Sequence, residues 1–159
     1  MKASSIVKLV LCLALCFGVG AVGGFVTYPE IPTWYAGLAK PSWTPPSVVF
    51  PVVWNLLYLL MAISLWLLWQ APGGTPLRGA AIALFLVQLA LNAAWSPVFF
   101  ALHRTGLALV IIALLALAVI ATIRAAWRVR PTAGLLLLPY LAWILYASTL
   151  NAGIMALNP

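Results

Sequence analysis

Long apolar stretches dominate this chain, separated by short segments rich in proline, glycine or arginine. Five of them, at about residues 6–26, 47–69, 77–102, 107–127 and 132–156, match or exceed the roughly 18–20 residues that a helix needs to cross bilayer hydrocarbon. The pattern predicts five transmembrane helices. Between the first two, Pro29, Pro32, Pro41, Pro45 and Pro46 prevent residues 27–46 from forming one regular helix, since each lacks an amide donor and restricts its predecessor. Residues 33–39 can still cap and form a short helix. Pro72, Gly73, Gly74 and Pro76 mark a turn, and residues 103–106 a tight connection. Pro51 falls in the first turn of the second span, where a missing amide is no loss. Pro97 bends or ends the third span, and Pro139 lies inside the fifth.

Composition agrees with the pattern. Of 159 residues, 66% are hydrophobic and 6% charged, with a mean hydropathy of +1.17, against about 25% charged in a soluble domain. The chain therefore reads as an all-α integral membrane protein, one domain over residues 1–159, with a long first loop across residues 27–46. The net charge of +7 sets eight Lys/Arg against one acid, Glu30. These cations punctuate the ends of apolar runs instead of clustering on a solvated face, which argues against nucleic-acid binding. They also orient the chain. Lys2, Lys8, Arg78, Arg124, Arg128 and Arg130 fall on the amino-terminal side, and only Lys40 and Arg104 on the other, so the amino terminus is expected inside, with the long loop and carboxyl terminus outside. A bacterial cell membrane is the expected host.

The first segment fits both a secretory signal peptide and a retained helix, with Lys2 and Lys8 preceding an apolar core. The retained helix is the reading adopted. Gly18, Gly20, Gly23 and Gly24 would let another helix approach its end, and Cys12 and Cys16, four apart on one face, read as small buried hydrophobes rather than a disulfide.

Candidate chemistry is sparse. One acid excludes a carboxylate pair, and one histidine with two cysteines in the first helix makes no metal set. No ionisable group lies mid-span, as a proton-coupled carrier would need. What the spans carry is neutral: Trp54, Asn55 and Tyr58 on the second, Gln88, Asn92 and Trp95 on the third, and Tyr140, Trp143, Tyr146, Ser148, Thr149 and Asn151 on the fifth. Trp69 and Trp127 fit an interfacial belt. Amides in hydrocarbon must find partners, so Asn55, Gln88 and Asn92 are expected to face the bundle interior, as helix glue or as a pocket lining. With aromatic walls and a covering loop, they suit a broad, planar, mostly apolar ligand with an acidic edge facing Lys40, the loop's only cation. Gly79, Ala83 and Val87, with Ala80 alongside, form a small-residue stripe able to seat another helix, either one of the same bundle or, as a dimer interface, one of a second copy.

These residues resemble the tryptophan-rich sensory protein or translocator protein (peripheral benzodiazepine receptor) family. The matching pieces are Trp34-Tyr35, Leu38, Lys40-Pro41, Trp43 and Pro45-Pro46; Phe50-Pro51, Trp54 and Tyr58; Asn92, Trp95, Pro97 and Phe99-Phe100; and Pro139-Tyr140, Trp143, Ala147 and Leu150-Asn151. They fall in order and cover nearly everything after residue 27. The resemblance implies a retained first helix and a five-helix bundle, commonly dimeric, whose first loop lids a porphyrin pocket lined by Tyr35, Pro45, Trp54, Asn92, Trp95, Trp143 and Ala147. The residue reading adds Lys40 and Tyr58. Porphyrin is expected as a ligand, not a cofactor, and no metal or other cofactor is implied. Light-dependent porphyrin breakdown in some bacterial members implies an alternative role for Trp54 and Trp143 as electron donors. A structural or regulatory membrane protein without a small ligand is the third reading. Sterol is not expected as the principal ligand, because the stretch after Leu150-Asn151 carries neither the tyrosine nor the basic residue of sterol-binding members.

Overall fold

The computed structural model describes residues 3–159; Lys2, counted above among the amino-terminal cations, lies outside the described residues. Helix α1 spans Ala3–Thr27, followed by a 3-10 turn at Tyr28–Glu30 and the short α2, Trp34–Gly37. Then come α3 (Val49–Gln70), α4 (Arg78–Ser96), α5 (Thr105–Val129), α6 (Pro131–Leu135) and α7 (Leu138–Leu157). Among the described residues there is no strand. Among the described residues, five helical stretches are long and apolar enough to span a membrane, the fifth running through α6 and α7.

Local chemistry explains where the helices begin and end. At the end of α3, the Leu68 carbonyl accepts from the Ala71 amide at 3.3 Å, and the Arg78 guanidinium donates to the Leu68 carbonyl at 3.3 Å and to the Trp69 carbonyl at 3.0 Å. Leu77, with φ at 63°, turns the chain sharply into α4. As expected, the α-helical pattern of α4 ends at Pro97, which caps it after Ser96. The helix widens into a π turn over Pro97–Ala101, closed by the Leu102 amide on the Pro97 carbonyl at 2.9 Å.

The fifth span, expected over about residues 132–156 with Pro139 inside it, is built from two helices, α6 and α7. An unbroken helix would require Pro139 to donate to the Leu135 carbonyl, which it cannot do. The chain breaks at residues 136–137 and restarts, so Pro139 sits in the first turn of α7, where no donor is needed. Gly134 lets α6 lie directly on α5, since a Cβ there would stand 2.9 Å from the Trp127 ring.

Packing centres on α5, which contacts α4, α6 and α7, while α1 lies against α3 and α4. Met61, Phe85, Leu115, Val119, Tyr140 and Ile144 form the core, with Cys12 and Cys16 buried beside them as free thiols. Of the α1 glycines, Gly20 faces the Tyr58 ring and Gly23 the Ser96 hydroxyl; Gly18 and Gly24 meet nothing, so only two of the four serve close approach. At its other end α1 is tied to α3 by the Trp66 indole donating to the Ser5 carbonyl at 3.1 Å, and by Gln70 to the Ser5 hydroxyl. Alternating helix direction brings the long loop, the connection between α4 and α5, and the carboxyl end of α7 to one end of the bundle. Direct contacts join all three there.

Candidate ligand-binding site

Three helices meet through one amide. Tyr58 on α3 donates its hydroxyl to Asn92 Oδ1 at 2.9 Å, and Asn92 Nδ2 on α4 donates to the Tyr140 hydroxyl on α7 at 3.0 Å. All three side chains are buried. In hydrocarbon such bonds contribute on average about 0.6 kcal/mol each, with better ones reaching roughly 1–2 kcal/mol. Because both amide ends are used, the rotation of each helix about its axis is fixed at this level.

Aromatic rings stand above this link, toward the loop. Trp54 stacks on Tyr58 with centroids 5.4 Å apart and meets Tyr140 edge-on at 6.3 Å. Trp143, one turn beyond Tyr140 on α7, takes Phe50 edge-on at 5.9 Å and Tyr146 at 5.4 Å. Its indole Nε1 is buried without a hydrogen-bond partner among the described residues, as are both polar atoms of Gln88. Ala147 is half-buried on the same helix and packs against the core. Asn55 does not join the wall. It is exposed, and its Nδ2 donates to the Pro51 carbonyl one turn back at 2.8 Å, which corrects the expectation that it faces inward. Near the helix end an amide can be satisfied by its own backbone and by water, so nothing forces it inside.

Trp95 belongs to a second aromatic group. Its indole donates to Asn151 Oδ1 at 3.2 Å, Asn151 Nδ2 donates to the Thr105 carbonyl at 2.9 Å, and its ring stacks on Phe99 at 4.9 Å. Phe99 and Phe100 then receive Trp34 and Tyr35 of the loop. Trp34 also stacks on His103 at 4.1 Å, and His103 Nε2 lies 3.2 Å from Glu30 Oε2. The chain's only acid and only histidine thus pair across the mouth of the bundle.

The loop is held at its other end by α7. Asn158 clamps Ala39 from both sides, accepting from its amide at 3.0 Å and donating to its carbonyl at 2.9 Å. Tyr146 donates to the Trp43 carbonyl at 2.8 Å, and Gly153 gives Pro41 room that any side chain would take. Lys40 Nζ is turned onto the Leu38 carbonyl at 3.1 Å and lies 4.7 Å from the centre of the Tyr35 ring. Burial pushes the Tyr35 hydroxyl above its ordinary range. Pro45 is half-buried in the same loop.

Of the residues expected to line one pocket, Trp54, Tyr58 and Asn92 join around Tyr140, while Trp143 and Ala147 lie further along α7. Tyr35 and Trp95 meet through Phe99 and Phe100 instead. Missed were Phe50, Trp34, Gly153 and Asn158. The first two stood inside matched motifs, whereas nothing local marked the last two. Two open grooves lie away from this cluster. One, of about 380 Å³, runs between α1 and α4; the other, of about 860 Å³, lies at the arginine-bearing end of α5.

With that geometry in view, known proteins resemble this one along nearly its whole length. The family model described as TspO/MBR matches residues 12–157. This chain belongs to the TspO/MBR family. A tryptophan-rich protein TspO of Archaeoglobus fulgidus is 43% identical over 97% of this chain and 99% of its own. The tryptophan-rich sensory protein of Cereibacter sphaeroides is 40% identical over 92% of this chain and 88% of its own, and the human translocator protein 44% over 82% and 78%. This family member is therefore an integral membrane protein, and its relatives carry names of translocation and sensing.

Proposed function

We propose that this protein binds a porphyrin-type tetrapyrrole beneath its first loop, between α3, α4 and α7, and serves as a membrane receptor or carrier for it. The observation that carries the reading is the aromatic wall of Trp54, Tyr58, Tyr140, Trp143 and Phe50, with a buried, unpartnered indole N–H, closed by a loop anchored at separate points. Broad π-faces favour offset stacking with a flat macrocycle, and an unpaired buried donor costs about 1–3 kcal/mol until an acceptor reaches it. A ring nitrogen or carboxylate of the ligand supplies one. Trp54 packs on both Tyr58 and Tyr140, so the macrocycle enters by parting these rings beneath a displaced loop. Lys40 then exchanges its carbonyl partner for an acidic edge of the ligand.

Dimerisation accompanies this reading. Gly79, Ala80, Ala83 and Val87 are all exposed on α4, leaving a shallow stripe along which a second copy's helix can approach closely. The test is a titration of detergent-solubilised protein with protoporphyrin, followed by tryptophan fluorescence. Saturable quenching is expected, weakened in Trp143→Phe and unchanged in Trp127→Phe, which sits at the other end of the bundle. Equal affinity in the two variants would place the ligand elsewhere.

A further inference from the structure

The end of the bundle opposite the loop carries Lys8, Arg78, Arg124, Arg128 and Arg130, and among the described residues no acid; the one acid, Glu30, is at the loop end. Two of these cations are occupied within the chain, Arg78 on the carbonyls that end α3 and Lys8 over the Trp69 ring at 5.6 Å. Arg124 and Arg128 are exposed, and no described side chain forms an ion pair with either. They stand one turn apart on α5 and line the groove of about 860 Å³ together with Leu77, Ala121, Ala125 and Trp127.

The arrangement along the helix is ordered. Ala121, Arg124, Ala125 and Arg128 recur at the three- and four-residue spacing that puts them on one face. Half-buried Ala121 and Ala125 give the groove a shallow apolar floor, and the exposed Arg124 and Arg128 alternate with them at its rim. Leu77, exposed at the left-handed turn into α4, also lines the groove. Such a groove has the polarity of an amphiphile, with apolar depth and a cationic mouth. The negative end of the α5 dipole, equivalent to about half an elementary charge, opposes an anion there. Two full positive charges, each offering a planar fork of donors suited to phosphate, outweigh it.

We propose that this groove binds the headgroup of an anionic phospholipid, with its acyl chains lying along Ala121 and Ala125. The site is separate from the tetrapyrrole region, and its occupancy is independent of that reading. It goes beyond an unspecific positive belt in two respects: one lipid is held per chain, and the alanine floor takes part.

Native mass spectrometry of the full chain, released from micelles containing equal dioleoyl phosphatidylglycerol and dioleoyl phosphatidylcholine, tests both. One phosphatidylglycerol per chain is expected to be retained. Arg124→Ala with Arg128→Ala should lower its retention about 30-fold, from the surface contribution of two cations, and Arg130→Ala should not approach that loss. Replacing both arginines by lysine should preserve much of the retention, which separates lost charge from lost folding. Ala121→Leu with Ala125→Leu, leaving both arginines in place, should also release the lipid. Equal retention of the two lipids by the wild type, or wild-type retention in the double alanine variant, would overturn the site. Wild-type retention in the leucine variant would overturn the groove as its seat.

Discussion

Asn92 shows how one side chain can specify a membrane bundle. Its amide joins the hydroxyls of Tyr58 and Tyr140, so replacing it strands two buried groups at once. In a soluble core that costs several kcal/mol, but in a membrane the unfolded reference also finds partners. Asn92→Ala is therefore expected to lose about 1–2 kcal/mol, read as a lowered thermal midpoint in detergent, whereas Asn55→Ala, which breaks only a local bond to Pro51, should leave the midpoint unchanged. The two asparagines looked alike in the sequence, since apolar residues surround both and no stripe tells which face meets lipid. Asn92 was legible through its company, with Trp95 one turn on and a matching motif around it. The Glu30 to His103 pair was not, because 73 residues separate two groups that only the fold brings together.

At the scale of elements, the loop over residues 28–48 matters most. Its prolines were visible and predict a stiff, non-helical cover, with room for the short helix that the structure places at Trp34–Gly37. Its docking was not visible, because the receiving groups lie near the end of α7 and show no special chemistry of their own. Asn158 replaces a backbone partner for both polar groups of Ala39. Asn158→Ala is expected to raise the exchange rate of the Ala39 amide by tenfold or more, on the order of 1.4 kcal/mol of lost protection, while amides in the middle of α5 keep wild-type rates. Unchanged exchange at Ala39 would show that the loop is held by its other contacts alone. The break between α6 and α7 carries a related lesson. Pro139 lies inside the fifth span as its motif predicts, but the helix restarts one residue before it, at Leu138, so that its missing donor falls in a first turn.

For the whole molecule, hydropathy and length determined most of what could be known in advance. Five spans, their antiparallel sequence and the gathering of arginines at one end follow from those two quantities, because lipid tolerates few other solutions. Quaternary structure does not follow so directly, since small residues serve contacts within a bundle as readily as between bundles. Here the α4 stripe is turned outward, which gives a clear expectation. Ala83→Phe should convert a dimer to a monomer in light scattering of the detergent-corrected particle, without changing helical content. A dimer that persists would assign the interface to another face.

In the proposed function a tetrapyrrole lies under the first loop, against α3 and α7. Hydrogen–deuterium exchange of the full protein with and without saturating protoporphyrin examines that claim by location. Protection is expected across residues 38–46 and at the loop-side ends of α3 and α7, with the arginine end of α5 unchanged. Protection confined to residues 121–128, or none at the loop, would contradict it.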